Sequence, residues 1–232
     1  KAVKKNIKIN THLLKENIRN KIIYNGIVIN NLKKNRNNLD KIIKKKKNIF
    51  NIGMISRIEK KKGHIDLIDS FYKLPETDKN KLTVYLIGKG SKKFIIFLKK
   101  KITNLNLEKQ FIFTGFLKNE SLHIAKKLNL LMSLTKDFEG FGLSLAEALY
   151  AGTPVLATKV GAVTEFLNKK NSFLIKPNNP QQITKALSDF VKNHKNWKKR
   201  ALGGKRYITN HFSTDIMSRN FDTFFKSYFI NR

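Results

Sequence analysis

The sequence predicts an α/β fold: a doubly wound, Rossmann-like parallel sheet followed by C-terminal helices. Two observations support this prediction. Between residues 48 and 176 the chain contains several short runs that are apolar throughout. These runs alternate with segments whose apolar residues recur at helical spacing. A strand that is apolar on both faces must be covered on both faces, so the alternation indicates parallel strands between two layers of helices. Sheets of this kind bind ligands beyond the carboxyl ends of their strands.

Six segments are predicted as strands because they are short, apolar and rich in β-branched residues. They are Ile49–Ser56, Leu82–Gly88, Phe111–Phe116, Leu128–Leu134, Thr153–Thr158 and Ser172–Lys176. Helical spacing predicts helices over Gly63–Leu74, Lys92–Ile102, Asn119–Leu128, Asn179–Lys195 and Ser213–Phe229, with a further helix from about Gly142. Helices therefore separate the strands, as a parallel sheet requires.

The composition excludes several kinds of site. The chain has 232 residues and no cysteine, which excludes disulfides and thiolate metal sites. Its five histidines show no ligand spacing, so we expect no metal ion and no cofactor. No apolar run approaches the roughly 20 residues that span a bilayer, and no signal peptide is recognisable, so we expect a cytoplasmic location. The chain begins at Lys1 and its first methionine is Met54, which indicates a part of a longer protein.

The formal net charge is +32, from 48 lysines and arginines against 16 acidic residues. One interpretation is a partner rich in negative charge: nucleic acid, an anionic membrane surface or a phosphorylated substrate. The other is a general enrichment in Lys, Asn and Ile, with most lysines solvated, and we favour it as the main cause. Scattered lysines would still favour peripheral contact with the anionic inner face of the cytoplasmic membrane.

The stretch DFEGFGLSLAEAL carries two carboxylates in apolar surroundings, Glu139 and Glu147. Its glycines precede a predicted helix, whose N-terminus would attract an anion at the carboxyl edge of the sheet. Two acids on either side of such a turn suit a nucleotide sugar, with Glu147 accepting hydrogen bonds from the ribose. Alternatively, Glu147 pairs with a lysine and Glu139 caps the helix. The spacing leaves both open.

The loop after the first strand places Arg57 and Lys62 between Gly53 and Gly63, at the same predicted edge. Arginine can bind a phosphate through two parallel hydrogen bonds, whereas lysine acts as a point charge. The alternative is a solvated basic loop. The segment LIGKGSKK has Lys93 where a dinucleotide fingerprint needs its third glycine, so it is better explained as a tight turn between strand and helix.

Five segments, in this order, resemble the family 4 retaining glycosyltransferases: IIYNGI, GMISRIEKKKGHIDLIDSF, YLIGKG, FIFTGF and EGFGLSLAEALYAGTPVLATKVGAVTEF. The resemblance covers about residues 22–211 and implies the C-terminal, donor-binding half of a GT-B fold. It implies that Glu139 contacts the donor sugar, that Glu147 holds the ribose and that Arg57 and Lys62 bind the diphosphate. It further implies metal-independent catalysis and donor contacts from the glycine of the first strand and the turn, namely Gly53, Gly140, Phe141, Gly142 and Leu143.

These patterns predict three regions. Residues 1–47 are predicted as the remnant of an N-terminal acceptor domain with its linker, 48–212 as the nucleotide-sugar-binding domain and 213–232 as a crossover helix. That helix has an apolar stripe of Ile216, Met217, Phe221, Phe224 and Phe225, expected to be partly exposed. The predicted function is transfer of a sugar from a nucleotide diphosphate sugar to a glycan or lipid-linked acceptor, as in lipopolysaccharide synthesis. The alternatives are a donor-binding remnant without turnover and a basic nucleic-acid-binding protein; we consider nucleic acid the weaker candidate because no binding module is recognisable.

Overall fold

The computed structural model describes residues 21–29, 39–118 and 121–229. Within these ranges six strands form one parallel sheet: β1 (Phe50–Ile55), β2 (Leu82–Ile87), β3 (Phe111–Gly115), β4 (Leu130–Ser133), β5 (Val155–Thr158) and β6 (Phe173–Ile175). Their spatial order is β3-β2-β1-β4-β5-β6, and every neighbouring pair is parallel. The chain thus extends the sheet first to one side of β1 and then to the other, which confirms the doubly wound fold.

The helices of the described ranges are α1 (Leu39–Ile42), α2 (His64–Tyr72), α3 (Glu76–Lys79), α4 (Lys92–Asn104), α5 (Ser121–Ala125), α6 (Leu143–Tyr150), α7 (Val163–Phe166), α8 (Pro180–His211) and α9 (Thr214–Phe229). A 3₁₀ turn over Lys60–Lys62 lies between β1 and α2. The predicted helix over Asn119–Leu128 is observed as α5; Asn119 and Glu120 lie outside the described residues. None of the helices in the described part of the chain combines the length and apolar character needed to cross a bilayer.

Side chains of each strand alternate between two cores, one on each face of the sheet. In β2, Val84 and Leu86 pack with α2, α4 and α8, whereas Tyr85 and Ile87 pack with α5, α6 and α7. Both faces are covered, so most positions of the central strands carry an apolar side chain; buried Asn51 in β1 is an exception, and its side-chain amide donates to the Lys44 carbonyl (3.1 Å). Coverage of both faces explains why the strands lack the polar alternation of a half-exposed sheet.

The predicted helix over Asn179–Lys195 agrees with the first part of α8, which ends at a kink at Asn193; helical structure then resumes and continues to His211, a stretch that was not predicted. At the kink, Asn193 has non-helical angles (φ −121°, ψ 26°). Beyond that residue Trp197, Ala201 and Ile208 are buried at helical spacing, so the second half of α8 is held by the core. Tertiary burial therefore explains the second helical stretch after the kink, which the local sequence, rich in Lys and Asn, did not predict.

The described N-terminal segment, residues 21–29, lies beside the start of α9. The Ile27 amide donates to the Phe212 carbonyl (2.8 Å), and the Thr214 amide donates to the Ile27 carbonyl (3.0 Å). Leu39 and Ile43, which precede the predicted boundary at residue 48, are buried in the core on the α6 side of the sheet. The rest of residues 1–47 lies outside the described ranges, and the three-region division stays a prediction.

Two glycines fix the loop between β4 and α6, residues 134–142. Gly63 has φ +80°, and a Cβ atom there would lie 2.2 Å from the Leu134 carbonyl oxygen. Gly161 has φ +55°, and its Cβ would lie 2.1 Å from the Glu139 carbonyl oxygen. The Ala162 amide donates to that same oxygen (2.9 Å). Since β1 and β5 are the two neighbours of β4, their loops hold the β4–α6 loop from both sides.

The stripe of α9 is partly exposed, as predicted. Phe221 is 43% and Phe225 50% exposed, and their rings stack at a centroid distance of 6.2 Å.

We expect Gly161→Ala to destabilise the fold by about 3 kcal/mol, because it adds a steric clash to the cost of a left-handed conformation. The matched control is Gly115→Ala, since Gly115 has φ +69° but nothing within 4 Å of its Cβ position. The control should lose about 1 kcal/mol. Urea unfolding of both variants measures the difference; equal losses would show that the contact at Glu139 does not constrain the loop.

The first residue of α2, His64, predicts a pH dependence of stability. It is 1% exposed, and its Nδ1 lies 3.3 Å from the Glu59 carbonyl oxygen. Burial lowers the pKa of His64 to about 4; the hydrogen bond to Glu59 opposes this shift, and the charge of Lys62 adds to it. The unfolded chain takes up a proton at its ordinary pKa of about 6.5, before the folded chain does. The free energy of unfolding should therefore be highest above about pH 6.5, the unfolded pKa, and should fall by up to about 3 kcal/mol as the pH drops towards 4.

The free energy of unfolding, measured by urea titration between pH 7 and 4, tests this expectation. His64→Asn should flatten the curve, and the same substitution at exposed His211 serves as the control. The explanation fails if both variants show the same pH dependence.

Candidate functional site

The carboxyl ends of β1 and β4 bring together two of the predicted site residues. Lys62, on the 3₁₀ turn after β1, donates from Nζ to Oε2 of Glu139 at 2.7 Å. The Lys62 side chain is 14% exposed and that of Glu139 21%. The two residues are 77 positions apart in sequence. Because the pair is largely shielded from water, its attraction is stronger than that of a surface ion pair.

Two threonines that the sequence analysis missed support this ion pair. Thr135 is buried, and its Oγ1 lies 3.4 Å from Oε2 of Glu139 and 3.5 Å from Nζ of Lys62. Thr158, the last residue of β5, donates from Oγ1 to the Thr135 carbonyl (2.6 Å). A signal was present in the sequence, because both hydroxyls stand at the ends of predicted strands, where ligands bind.

The glycine turn into α6 forms as predicted. Gly142 has φ +81° and is the N-cap residue of α6. The amide of Leu145 donates to the Gly142 carbonyl (2.9 Å), while the first helical residue, Leu143, is 46% exposed. Around a Cβ built on Gly140, the nearest atom outside its chain neighbours is a Phe138 ring carbon at 4.0 Å. Phe141 is buried and stacks on Phe166 with ring centroids 4.9 Å apart. The turn therefore presents backbone to the open edge and one aromatic ring to the core.

The second acid, Glu147, lies in α6, where the adjacent Ala146 and Ala148 are fully buried. The residue itself is partly buried. It follows Leu143 by four positions, so it lies on the same face of the helix as that exposed residue. Glu147 is thus one turn below the entry of α6.

Arg57 is in a different setting from Lys62. Its side chain is 68% exposed, and Nη1 lies 2.8 Å from Oε1 of Glu59. Arg57 borders a cavity of about 500 Å³ at the carboxyl ends of β1, β2 and β3. The lining comprises Ile55, Ser56, Arg57, Ile87, Gly88, Lys89, Phe116, Leu117, Ser121 and Ile124. Lys62 and Glu139 are outside that lining, so the cavity and the ion pair are separate parts of one edge of the sheet.

Two residues that line the cavity, Phe116 and Lys89, were not among the predicted site residues. Phe116 is 60% exposed, and Nζ of Lys89 lies 5.2 Å from the centre of its ring. Lys89 follows a predicted strand and Phe116 is the last residue of another, and the ends of strands are typical positions of binding residues.

Gly53 lies inside β1, where it pairs with Tyr85 on one side and Leu131 on the other. A Cβ atom at Gly53 would lie 2.9 Å from Cδ1 of Leu128. Packing under Leu128 accounts for the glycine, and a role in donor binding stays a prediction.

The N-terminal segment contacts the glycine turn through the ring of Tyr24, which packs against Phe141. Tyr24 donates from its hydroxyl to Oε2 of Glu165, and its ring packs on Phe212 (5.5 Å between centroids) and Phe141 (6.4 Å). The hydrogen bond to the Glu165 carboxylate, together with burial, raises the pKa of Tyr24 to about 12. Tyr24 therefore remains a donor at neutral pH.

Among the described residues, no group of three or more His, Cys, Asp or Glu side chains is placed to hold a metal ion. The charges that the candidate site presents to a ligand are those of lysine, arginine and two carboxylates.

Comparisons with known proteins identify the family. The model of the glycosyl transferases group 1 family matches residues 35–204. An uncharacterized glycosyltransferase of Methanocaldococcus jannaschii is 26% identical over 195 residues, which are 83% of this chain and 48% of that protein. A second glycosyltransferase of that organism matches 86% of this chain and 50% of its own length. The chain therefore spans about half the length of these relatives.

Solved structures agree in fold. HepE of Anabaena, solved in complex with UDP-glucose, is 25% identical with a TM-score of 0.78, covering 89% of this chain and 57% of HepE. The C-terminal domain of a glycosyl transferase group 1 family protein from Francisella tularensis is 29% identical with a TM-score of 0.64, covering 71% of this chain and 87% of that domain. On the match over residues 35–204, the chain belongs to the glycosyl transferases group 1 family.

Proposed function

We propose that this chain is the donor-binding half of a retaining family 4 glycosyltransferase, which transfers a sugar from a nucleotide diphosphate sugar to a glycan or lipid-linked acceptor. The observation that carries the proposal is the Lys62–Glu139 ion pair, 2.7 Å long, beside the glycine turn into α6. A cation, a carboxylate and a helix N-terminus at one edge suit a ligand that has both phosphates and hydroxyls. The complex of HepE with UDP-glucose gives further support.

In this proposal the diphosphate binds near Lys62. A lysine ammonium group has three N–H donors; the bonds to Glu139 and Thr135 use two of them, so the third can donate to a phosphate oxygen. Arg57 supplies a second cation, and its exposure leaves it free to turn towards the ligand. Glu139 also accepts from hydroxyls of the donor sugar, and Glu147 accepts from the ribose.

The cavity bordered by Arg57 would hold the nucleobase. The ring of Phe116 offers a flat, apolar surface, and Lys89 can donate to base oxygens.

The proposed reaction breaks the bond between the anomeric carbon of the sugar and the diphosphate oxygen. A hydroxyl of the acceptor forms the new bond on the same face of the sugar, the bonding electrons of the broken bond stay on the nucleotide diphosphate, and the hydroxyl proton passes to the departing diphosphate oxygen. Lys62, Arg57 and the N-terminus of α6 stabilise that negative charge, which is the electrostatic form of catalysis. No metal ion is required for this role.

The acceptor is proposed to be part of a cell-envelope glycan such as lipopolysaccharide, reached at the anionic inner face of the cytoplasmic membrane. Because the chain spans about half of its curated relatives, donor binding without turnover is the second candidate function. Both candidate functions require binding of the nucleotide donor, so nucleotide binding is the property to measure.

We expect the chain to bind a nucleoside diphosphate, and we expect Lys62→Ala and Arg57→Ala each to weaken this binding by about 1.5–3 kcal/mol, the range for a hydrogen bond to a charged group. This corresponds to roughly a 10- to 150-fold rise in Kd. Isothermal titration calorimetry with UDP, GDP and ADP provides the measurement. Lys61→Ala is the matched control, because Lys61 stands on the same 3₁₀ turn, is 52% exposed and approaches Glu59 only to 3.8 Å.

Unchanged affinity in both variants, with binding retained by the wild type, would contradict the assignment of these residues. If none of the three nucleotides binds and the chain instead binds DNA with a steep salt dependence, the nucleic-acid alternative replaces the proposal.

A further inference from the structure

The outer face of α4 carries two neighbouring apolar side chains that the fold leaves in solvent. Ile96 is 56% exposed and Phe97 49%, whereas Leu98 and Ile102 of the same helix are buried in the core. Leu98 and Ile102, with the partly buried Phe94 and Ile95, attach the helix to the core. Ile96 and Phe97 are therefore available to a partner.

A groove runs beside these residues. It has a volume of about 350 Å³ and is lined by Lys60, Ile65, Ser91, Lys93, Phe94 and Phe97. The rings of Phe94 and Phe97 are nearly parallel, at 12° and 6.0 Å between centroids. The groove thus combines an apolar lining with two lysines.

The helix itself is strongly basic, with five lysines and no acidic residue between Lys92 and Asn104. Lys101 is bound to Asp69 at 2.6 Å. The other four, Lys92, Lys93, Lys99 and Lys100, are exposed, and each stands three or four positions from Ile96 or Phe97, the spacing of neighbours on a helix surface. Of these, Lys99 also places Nζ 5.6 Å from the centre of the Phe113 ring. We call Ile96, Phe97 and these four lysines the α4 patch.

The chemistry of the α4 patch suits the surface of an anionic bilayer. Exposed aliphatic and aromatic side chains can enter the boundary between headgroups and acyl chains while lysines remain at the level of lipid phosphates. Nucleic acid would use the lysines but would gain little from Ile96. A membrane uses both parts of the patch.

We propose that the α4 patch is the surface through which this chain binds an anionic phospholipid membrane. The inference rests on the membrane contact of the proposed function and deepens it by naming the surface. The groove places the α4 patch next to the candidate site, because Lys60 of the groove and Lys62 of the ion pair belong to one 3₁₀ turn. In addition, Ile58 of the β1–α2 loop pairs with Gly90, just before α4. Membrane binding would therefore bring the donor-binding edge close to a lipid-linked acceptor.

Co-sedimentation of the 232-residue chain with vesicles tests the proposal. We expect binding to vesicles of phosphatidylcholine with phosphatidylglycerol, weaker binding at high salt, and little binding to phosphatidylcholine alone. The double variant Ile96→Ser/Phe97→Ser should weaken binding by about 10- to 100-fold, from the loss of two partly inserted side chains. Lys92→Gln/Lys93→Gln should weaken it by about 30-fold, at roughly five-fold for each lysine.

Two matched controls distinguish the α4 patch from general surface properties. Phe221→Ser/Phe225→Ser removes an equally exposed aromatic pair from α9, and Lys195→Gln/Lys199→Gln removes two exposed lysines from α8. Both controls should bind vesicles within about two-fold of the wild type.

Three outcomes would overturn the proposal. The α4 variants could bind vesicles as strongly as the wild type does, the control variants could lose as much vesicle binding as the α4 variants, or the wild type could bind neither kind of vesicle. An equal loss in the charge control would assign membrane binding to net charge, and a loss in the α9 control would assign it to α9. UDP titration of every variant tests the proposed function separately, because vesicle binding can fail while nucleotide binding persists. Retained UDP affinity also shows that a variant is folded.

Discussion

The candidate site depends on one constraint, the confinement of the β4–α6 loop between the loops of the two neighbouring strands. Gly63 approaches Leu134 and Gly161 approaches Glu139 so closely that neither position has room for a side chain. The backbone of Glu139 is therefore fixed before any ligand arrives. Fixed geometry of this kind matters to a binding site because a pre-organised group loses little entropy when it meets its ligand. The same confinement brings Lys62 within 2.7 Å of the Glu139 carboxylate. The lysine compensates a negative charge that is largely shielded from water.

The two predicted cations differ in how the fold uses them. Lys62 is shielded and bonded to Glu139, so it holds the loop together and carries a positive charge at the edge. Arg57 is exposed and bonded to Glu59, so its position can change at little cost. A net charge of +32 makes any single basic residue weak evidence for a site. Burial and a specific acidic partner are what separate Lys62 from the many solvated lysines.

Aromatic residues that pack against Phe141 connect the glycine turn to the N-terminal segment. Phe141 stacks on Phe166, and Tyr24 packs on both Phe141 and Phe212. Tyr24 also donates to Glu165, which lies on the short helix that follows Gly161. The glycine turn of the candidate site and residues 21–29 thus share one packed cluster, so a displacement of one would displace the other, because cores are close-packed.

The sequence by itself determined the order of the six strands and the longer helices, the doubly wound class and the presence of Lys62, Glu139 and the glycine turn at the carboxyl edge, because apolar periodicity and strand ends are local properties. It did not predict the four-residue helices α1, α3 and α7. It did not determine the second helical stretch of α8, from the kink at Asn193 to His211, which is held in the core by buried Trp197 and Ile208. Nor did it show that Leu128 covers Gly53, or that Lys62 meets Glu139 across 77 residues of chain. Those contacts depend on how loops from different strands pack together, and only the tertiary structure decided them.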